Sequence, residues 1–237
     1  MENQHRLAHC DMYFKIRIKK SSVSPLIGIA SLMGAATSSP FPLSESFIPF
    51  TSWSTVQMND LLLRYNEMDL DFGINMSEFM TLFDVDEAVA SGIMRSDLVS
   101  ALNLICALTL CSEGTLDDKL KVLFRCFDFD ETNAISADEL VILFISTAHG
   151  LVEVAEGAGV PLSDAEMDRH AVACFLHAGI DRHAPDATIK LGDFLQWAKV
   201  FSEETELSNV GAIVAHFCPT SGGGDAAGAE AQGGDRE

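Results

Sequence analysis

The chain has 237 residues, which is long enough for one well-packed core or two small lobes. It carries 15 basic and 35 acidic residues, for a net charge of −20, and 48% of its residues are hydrophobic. This composition excludes a fully disordered chain and argues against nucleic acid as a partner, because phosphates attract lysine and arginine.

The sequence lacks two patterns, a long apolar stretch and a paired cysteine motif, that would indicate a membrane protein or a zinc protein. Apolar stretches fall short of the twenty or so residues that cross a bilayer, so we expect no membrane span. The cysteines form neither a Cys-x-x-Cys pair nor a zinc spacing, and free thiols in a reducing compartment are the expectation. The six are Cys10, Cys106, Cys111, Cys126, Cys174 and Cys218.

Residues 1–50 differ in composition from the rest of the chain. The basic run KIRIKK at 15–20 precedes the apolar run LIGIASLMGAA at 26–36, and a Ser- and Pro-rich stretch follows. Basic, apolar and small residues in this order are typical of a targeting signal peptide. The basic region is long, however, and Pro25 interrupts the entry to the apolar run. A flexible extension is therefore the preferred interpretation.

The front half of the body, residues 53–111, predicts helices joined by acidic loops. A helix over 53–68 leads into an acidic segment in which Asn75 and Glu78 form an N-cap and its reciprocal capping-box partner. After a second acidic segment, a nearly continuous apolar helix is predicted from Asp97 to Leu110. A helix that is apolar all round is expected to be buried.

The segment DFDETNAISADE, residues 128–139, lies between two apolar helices in the back half. Read as a twelve-residue loop, it places oxygen atoms at alternating positions and a longer glutamate at its end. Calcium takes six to eight oxygen ligands, and this spacing lets one tight turn supply them. The predicted ligands are the side chains of Asp128, Asp130 and Thr132, the carbonyl of Ala134, Ser136 through water, and Glu139.

This loop resembles the calcium-binding loop of an EF-hand, and Ile135 fits the apolar eighth position at which paired loops meet. Two residues depart from the pattern. Asn133 stands where the sharp turn normally has glycine, although asparagine tolerates the left-handed conformation. Thr132 is neutral, so only three ligands are charged, which weakens calcium affinity. An EF-hand that no longer binds metal is the alternative.

Two segments in the front half match the twelve-residue pattern only in part. In residues 67–78, Phe72 stands where the turn needs glycine. In residues 86–97, Ile93 takes the apolar eighth position, and alanines occupy the third and fifth positions, where side-chain oxygen is needed. We expect both to be structural loops without bound metal.

The last loop, residues 181–193, also lacks a complete ligand set. Ile189 takes the eighth position and Asp193 the twelfth, but Arg182 then stands at the first. We expect this loop to be retained for pairing, because a single helix–loop–helix unit cannot bury its own apolar face. Ile135 is then expected to contact Ile189 in a short antiparallel pair.

The order of two irregular loops, one complete loop and a silent fourth is similar to the calmodulin and calcineurin-B superfamily, over roughly residues 55–200. The resemblance implies an all-α fold of paired EF-hands with short β contacts between loops. It implies a degenerate pair at 53–111 and a pair with one intact loop at 115–217, before a tail at 218–237 that composition predicts to be disordered. We expect a cytoplasmic protein. Divergent EF-hand proteins of cilia and flagella resemble this chain in their general sequence character, so the cilium or flagellum is a candidate location.

Regulation of a protein partner, rather than catalysis, is what the resemblance implies. Calcium at residues 128–139 would shift the flanking helices and expose apolar surface, for which the unbroken run Leu140–Ile145 is a candidate. Burial of that run in the core is the alternative. The second function left open is a metal-independent structural subunit that uses EF-hands as helical scaffolding.

The sequence contains no recognisable catalytic motif, so we expect a protein that is not an enzyme. His177 and His183 lie near Asp181 and Asp186. A structural zinc site needs four well-placed ligands, and nothing in this spacing fixes them. Exposed loop histidines are the expectation.

Overall fold

The computed structural model describes residues 42–207 and 209–220 of the chain. Within them the chain is mostly helical with two small sheets, which agrees with the predicted all-α class. The α-helices are α1 (Thr55–Glu67), α2 (Met76–Phe83), α3 (Glu87–Ile93), α4 (Ala101–Cys111), α5 (Leu116–Arg125), α6 (Ala137–Val154), α7 (Asp164–His177), α8 (Leu191–Glu204) and α9 (Val210–Phe217). The strands are β1 (Gly73–Ile74), β2 (Val99–Ser100), β3 (Ala134–Ser136) and β4 (Thr188–Lys190).

The end of the predicted flexible extension is folded. A 3₁₀ helix, Glu45–Ser52, buries Phe47 and Phe50, and the Phe50 ring meets Phe83 of α2 edge to face at 5.8 Å. Leu43 forms an isolated antiparallel bridge to Ala155. Residues 43–50 therefore belong to the folded part, because these apolar side chains find partners in the core. The basic and apolar runs before it lie outside the described residues.

The front sheet corrects the predicted register of the second loop. Strand β1 pairs antiparallel with β2, with Ile74 opposite Val99. Ile93, predicted at this position, is instead the last residue of α3. The reason is Asp86, whose Oδ1 accepts a hydrogen bond from the Val89 amide at 2.9 Å and so begins a helix where the sequence pattern predicts a loop.

The buried helix α4 begins at Ala101 rather than at the predicted Asp97. Ser100 acts as its N-cap, with Oγ accepting from the Asn103 amide at 3.3 Å. From Ala101 to Leu110 every residue of α4 is buried, as its all-round apolar pattern predicts.

The back sheet confirms the predicted contact between the third and fourth loops. Strand β3 pairs antiparallel with β4, and Ile135 lies directly opposite Ile189. Both side chains are fully buried. Each buried isoleucine contributes about 2 kcal/mol of hydrophobic free energy, so this contact is a strong reason for the two loops to stay together.

Helices α4 and α6 pack closely and join the predicted front and back units. At the closest point, Gly150 of α6 faces the backbone carbonyl of Asn103 in α4. A Cβ atom at residue 150 would lie only 1.9 Å from that carbonyl oxygen. The absence of a side chain at Gly150 therefore sets the distance between the two helices.

Replacing Gly150 with alanine should lower the free energy of unfolding by about 2 kcal/mol or more, because the added methyl group forces the two backbones apart. Urea denaturation followed by circular dichroism measures the change. Gly192→Ala in α8 is the matched control, since a Cβ atom at residue 192 would meet no atom within 4 Å. That variant should be neutral or more stable by up to about 1 kcal/mol. Equal effects from the two substitutions would contradict the close contact between α4 and α6.

Candidate calcium-binding loop

The candidate loop follows α5, contains β3 and ends in the first turn of α6. Helix α5 begins at its N-cap Thr115, whose Oγ1 accepts from the Asp118 amide at 3.2 Å, and it buries Phe124 against the back half. Within the loop, Glu131 and Asn133 have positive φ angles of 57° and 56°. The left-handed conformation predicted at Asn133 is thus present, and it allows the sharp turn without glycine.

Four of the six predicted ligands bring their oxygen atoms to one side of this turn. Oδ1 of Asp128 and Oδ1 of Asp130 both accept from the Thr132 amide, at 3.0 and 3.3 Å. The Thr132 hydroxyl lies 2.8 Å from Asp130 Oδ1 and 3.2 Å from the carbonyl oxygen of Ala134. Oxygens bound to one calcium ion at 2.3–2.6 Å lie on the order of 3 Å apart. The two oxygen–oxygen distances of the Thr132 hydroxyl are of this size, and both are also hydrogen-bond distances.

Asp128 is the most enclosed acid of the loop, with 8% of its surface exposed. Burial raises the pKa of its carboxyl group above the ordinary value of 3.8, and the neighbouring Asp130 adds to the rise. Hydrogen bonds from the amides of Asn133 and Thr132 act in the opposite direction without cancelling it. A partly buried carboxylate with an acidic neighbour is a group that a bound cation would stabilise.

The last predicted ligands, Ser136 and Glu139, form the capping box that begins α6. Oε2 of Glu139 accepts from the Ser136 amide at 2.7 Å and from its hydroxyl at 2.9 Å. Ser136 Oγ in turn accepts from the Glu139 amide at 3.3 Å. The structure therefore places this carboxylate on the helix cap.

In the part of the chain that the structure describes, no three acidic, histidine or cysteine side chains stand close enough together to hold a metal ion. Any calcium site at the loop would need a mixed donor set, in which the Thr132 hydroxyl and the Ala134 carbonyl join Asp128 and Asp130, and it would also need one oxygen of Glu139.

The first loop places Phe72 and Ile74 in the core. Phe72, which replaces the turn glycine, is 8% exposed and meets Phe129 edge to face at 6.2 Å. Asn75 and Glu78 form the predicted capping box: Asn75 Oδ1 accepts from the Glu78 amide at 3.1 Å, and Glu78 Oε2 accepts from the Asn75 amide at 2.8 Å. This capping box begins α2 in the same way as the Ser136–Glu139 capping box begins α6.

The fourth loop carries a cation at its first position. Arg182 donates from Nη1 to Oδ1 of Asp168 in α7 at 2.7 Å, and the arginine side chain is 18% exposed. A guanidinium held there repels a calcium ion at the position where calcium needs a carboxylate. The histidines of this region, His177 and His183, are exposed.

The run Leu140–Ile145, a candidate partner surface, lies in the core. Leu140, Leu143, Phe144 and Ile145 are buried, and the two residues between them are partly buried against the same core. This placement favours the core alternative for most of the run.

Sequence reasoning missed an apolar groove in the back half, with a volume of about 80 Å³. It lies among α5, α6, α8 and α9, and Leu123, Phe144, Trp197, Phe201 and Phe217 contribute most of its large side chains. The sequence predicts the final helix at 206–217, and in the structure this helix begins at Val210. Its position over the groove depends on contacts between residues distant in sequence. The apolar residues of α9 were the one sequence feature that could have indicated the groove.

Comparison with known proteins adds no family assignment. No family model matches the chain, and a search of curated proteins finds no significant relative.

The pKa of Asp128 provides a test of the loop geometry. In calcium-free protein its carboxyl should titrate above 3.8, because burial and Asp130 favour the neutral form. The ionised group then opposes folding at neutral pH, and this cost disappears as pH falls through the native pKa. Asp130→Asn should lower the pKa of Asp128. Carbon-detected NMR titration measures both values, and a pKa at or below 3.8 in the wild-type protein would contradict the described burial.

Proposed function

We propose that this protein is a divergent EF-hand protein that binds calcium at residues 128–139 and acts as a sensor or regulatory subunit of a protein partner. The observation that supports this function best is the convergence of oxygens from Asp128, Asp130, Thr132 and Ala134 on one side of a left-handed turn. These are hard oxygen donors of the kind that calcium prefers.

Calcium binding would act on α6 through Glu139. To join the ion, the carboxylate must give at least one oxygen to the cage, and its oxygen Oε2 is currently engaged at the helix cap. The ion therefore couples the loop to the first turn of α6. Leu143 and Phe144 of the same helix line the apolar groove, so a shift of α6 changes the groove.

The partner in this proposal is a protein that contacts apolar helical surface. The net charge of −20 disfavours nucleic acid. None of the described helices has the length and apolar character to span a bilayer. The described cysteines are free thiols, which fits the proposed cytoplasmic setting.

A metal-independent structural subunit is the second candidate function. The capping box of Glu139 favours it, because the carboxylate already has a structural role that needs no ion. The loop's own hydrogen bonds also satisfy Asp128 and Thr132 without metal. In this alternative the paired loops serve to hold the helices together.

Calcium titration of wild-type protein and of Glu139→Gln separates the two functions. Glutamine keeps the capping box but removes a charge and the bidentate carboxylate, so the variant should fold normally and lose at least about tenfold in calcium affinity. Isothermal calorimetry measures the affinity, and circular dichroism checks the fold.

The matched control is Glu78→Gln, which makes the same change at the capping box of the first loop. It should leave calcium affinity unchanged, because Phe72 and the packing around it leave no comparable cage there. Absence of binding by wild-type protein at millimolar calcium would favour the structural subunit. An equal loss of affinity in the two variants would place the binding site elsewhere than at residues 128–139.

A further inference from the structure

Helix α9 closes the apolar groove of the back half. Ile213 and Phe217 line the groove, and Asn209 caps the helix through Oδ1, which accepts from the Ala212 amide at 3.0 Å. Two hydrogen bonds hold the C-terminal end of α9. The Leu162 amide donates to the carbonyl of Phe217 at 2.8 Å, and the Cys218 thiol donates to the Ala148 carbonyl at 3.4 Å. The α9 helix thus covers apolar side chains that would otherwise face solvent.

Two histidines meet where α9 lies against α7. The ring centroids of His170 in α7 and His216 in α9 are 5.4 Å apart. Phe201 of α8 lies 5.2 Å from His170 and 5.4 Å from His216, and Phe217 lies 5.4 and 4.9 Å from them. Phe144 of α6 is 6.2 Å from His170. The histidine pair therefore sits among aromatic rings contributed by every helix packed around it.

This surrounding suits neutral imidazoles and opposes charged ones. Nε2 of His216 is buried and has no hydrogen-bond partner among the described residues, so a proton added there would be a charged donor without an acceptor. Protonation of both rings would also place two positive charges 5.4 Å apart between ring centroids, where they repel. Protonation of either imidazole thus destabilises the docked state, in which α9 lies over the groove.

The charged neighbours do not reverse this balance. Burial lowers the pKa of both histidines, and His216 and Arg169 lower that of His170 further, while Glu166 raises it. The Glu166 carboxylate is already engaged by Ser163 at the start of α7. Burial raises the pKa of the Cys218 thiol to about 12, so this neighbour carries no charge at neutral pH.

We propose that His170 and His216 form a proton-sensitive latch, which holds α9 over the apolar groove when both are neutral and releases it when they are protonated. The titrating groups of the latch lie outside the loop and its ligands. Proton concentration therefore adds a second input that controls access to the same apolar surface in the back half.

The direction of the pH dependence follows from proton binding. Because the pKa values are lowered in the docked state, the released state binds more protons as pH falls below the ordinary histidine value of 6.5. Docking is therefore strongest above that pH. Below it, the ratio of docked to released α9 should fall by up to about tenfold per pH unit for each histidine, until the lowered pKa values are reached.

Trp197 reports on this equilibrium because it lines the groove and stacks on Phe201 at a centroid distance of 5.0 Å. The experiment uses the full chain with Trp53→Phe, which leaves Trp197 as the only tryptophan. Tryptophan emission, binding of the dye anilinonaphthalene sulfonate and far-ultraviolet circular dichroism are followed from pH 8 to pH 5. We expect a red-shifted emission and increased dye binding below pH 6.5 while helical content is retained. Coincident loss of helix, or no change in either signal, would overturn the proposal.

Substitutions of the histidine pair test its assignment. His170→Phe with His216→Phe replaces both rings by neutral aromatic rings and should abolish the acid-induced change. Should that double variant fail to fold, the single variant His216→Gln removes one titrating group and should reduce the steepness of the transition about tenfold per pH unit. His177→Gln with His183→Gln, in the exposed loop region, is the matched control and should respond like wild type. An unchanged transition in the variants of the pair would overturn the latch.

Discussion

The antiparallel contact between Ile135 and Ile189 is the constraint on which the back half depends. Both isoleucines are fully buried and lie directly opposite each other. The contact brings the ends of the third and fourth loops together, and α6 and α8 begin directly after the two paired strands. Because a helix–loop–helix unit alone leaves its apolar face in water, the fourth loop is needed even where Arg182 makes it a poor metal site. The contact with β3 thus gives the fourth loop a structural role that needs no metal ligands.

The same short polar residues serve two purposes in these loops, and this limits what the sequence predicts. The Asn75–Glu78 and Ser136–Glu139 capping boxes, the left-handed Asn133 and the isoleucine pair follow from local patterns and are present. Asp86 fits the start of a loop in the sequence pattern, but it caps a helix, since an aspartate can supply its oxygen to an amide as readily as to an ion. Because of that ambiguity, the sequence pattern places Ile93 at the eighth position of the second loop, whereas the residue that pairs with Ile74 is Val99.

The groove and its cover could not be predicted for a different reason. His170 and His216, like Phe144 and Phe217, are far apart in sequence, and only the packing of four helices brings their rings together. Hydrophobic periodicity identifies which residues are apolar but not which helix covers which. The candidate ligands of residues 128–139 could be identified because all six lie in one short segment. The capping role of Glu139 follows from the same segment. Whether its carboxylate would leave the cap does not follow from the sequence, because that depends on whether an ion competes with the helix cap.

Helix α6 connects the candidate loop, the groove and the front half, and its packing limits how it can move. Near its C-terminal end, Gly150 lies against the carbonyl of Asn103 with no space for even one methyl group. Close-packed interfaces of this kind resist small displacements. A change at Glu139 would therefore pivot α6 about Gly150, and the largest movement would occur near the loop. Phe144 lies between these two points, so an ion at one end and a proton at the histidine pair would act on the same aromatic contacts from opposite sides.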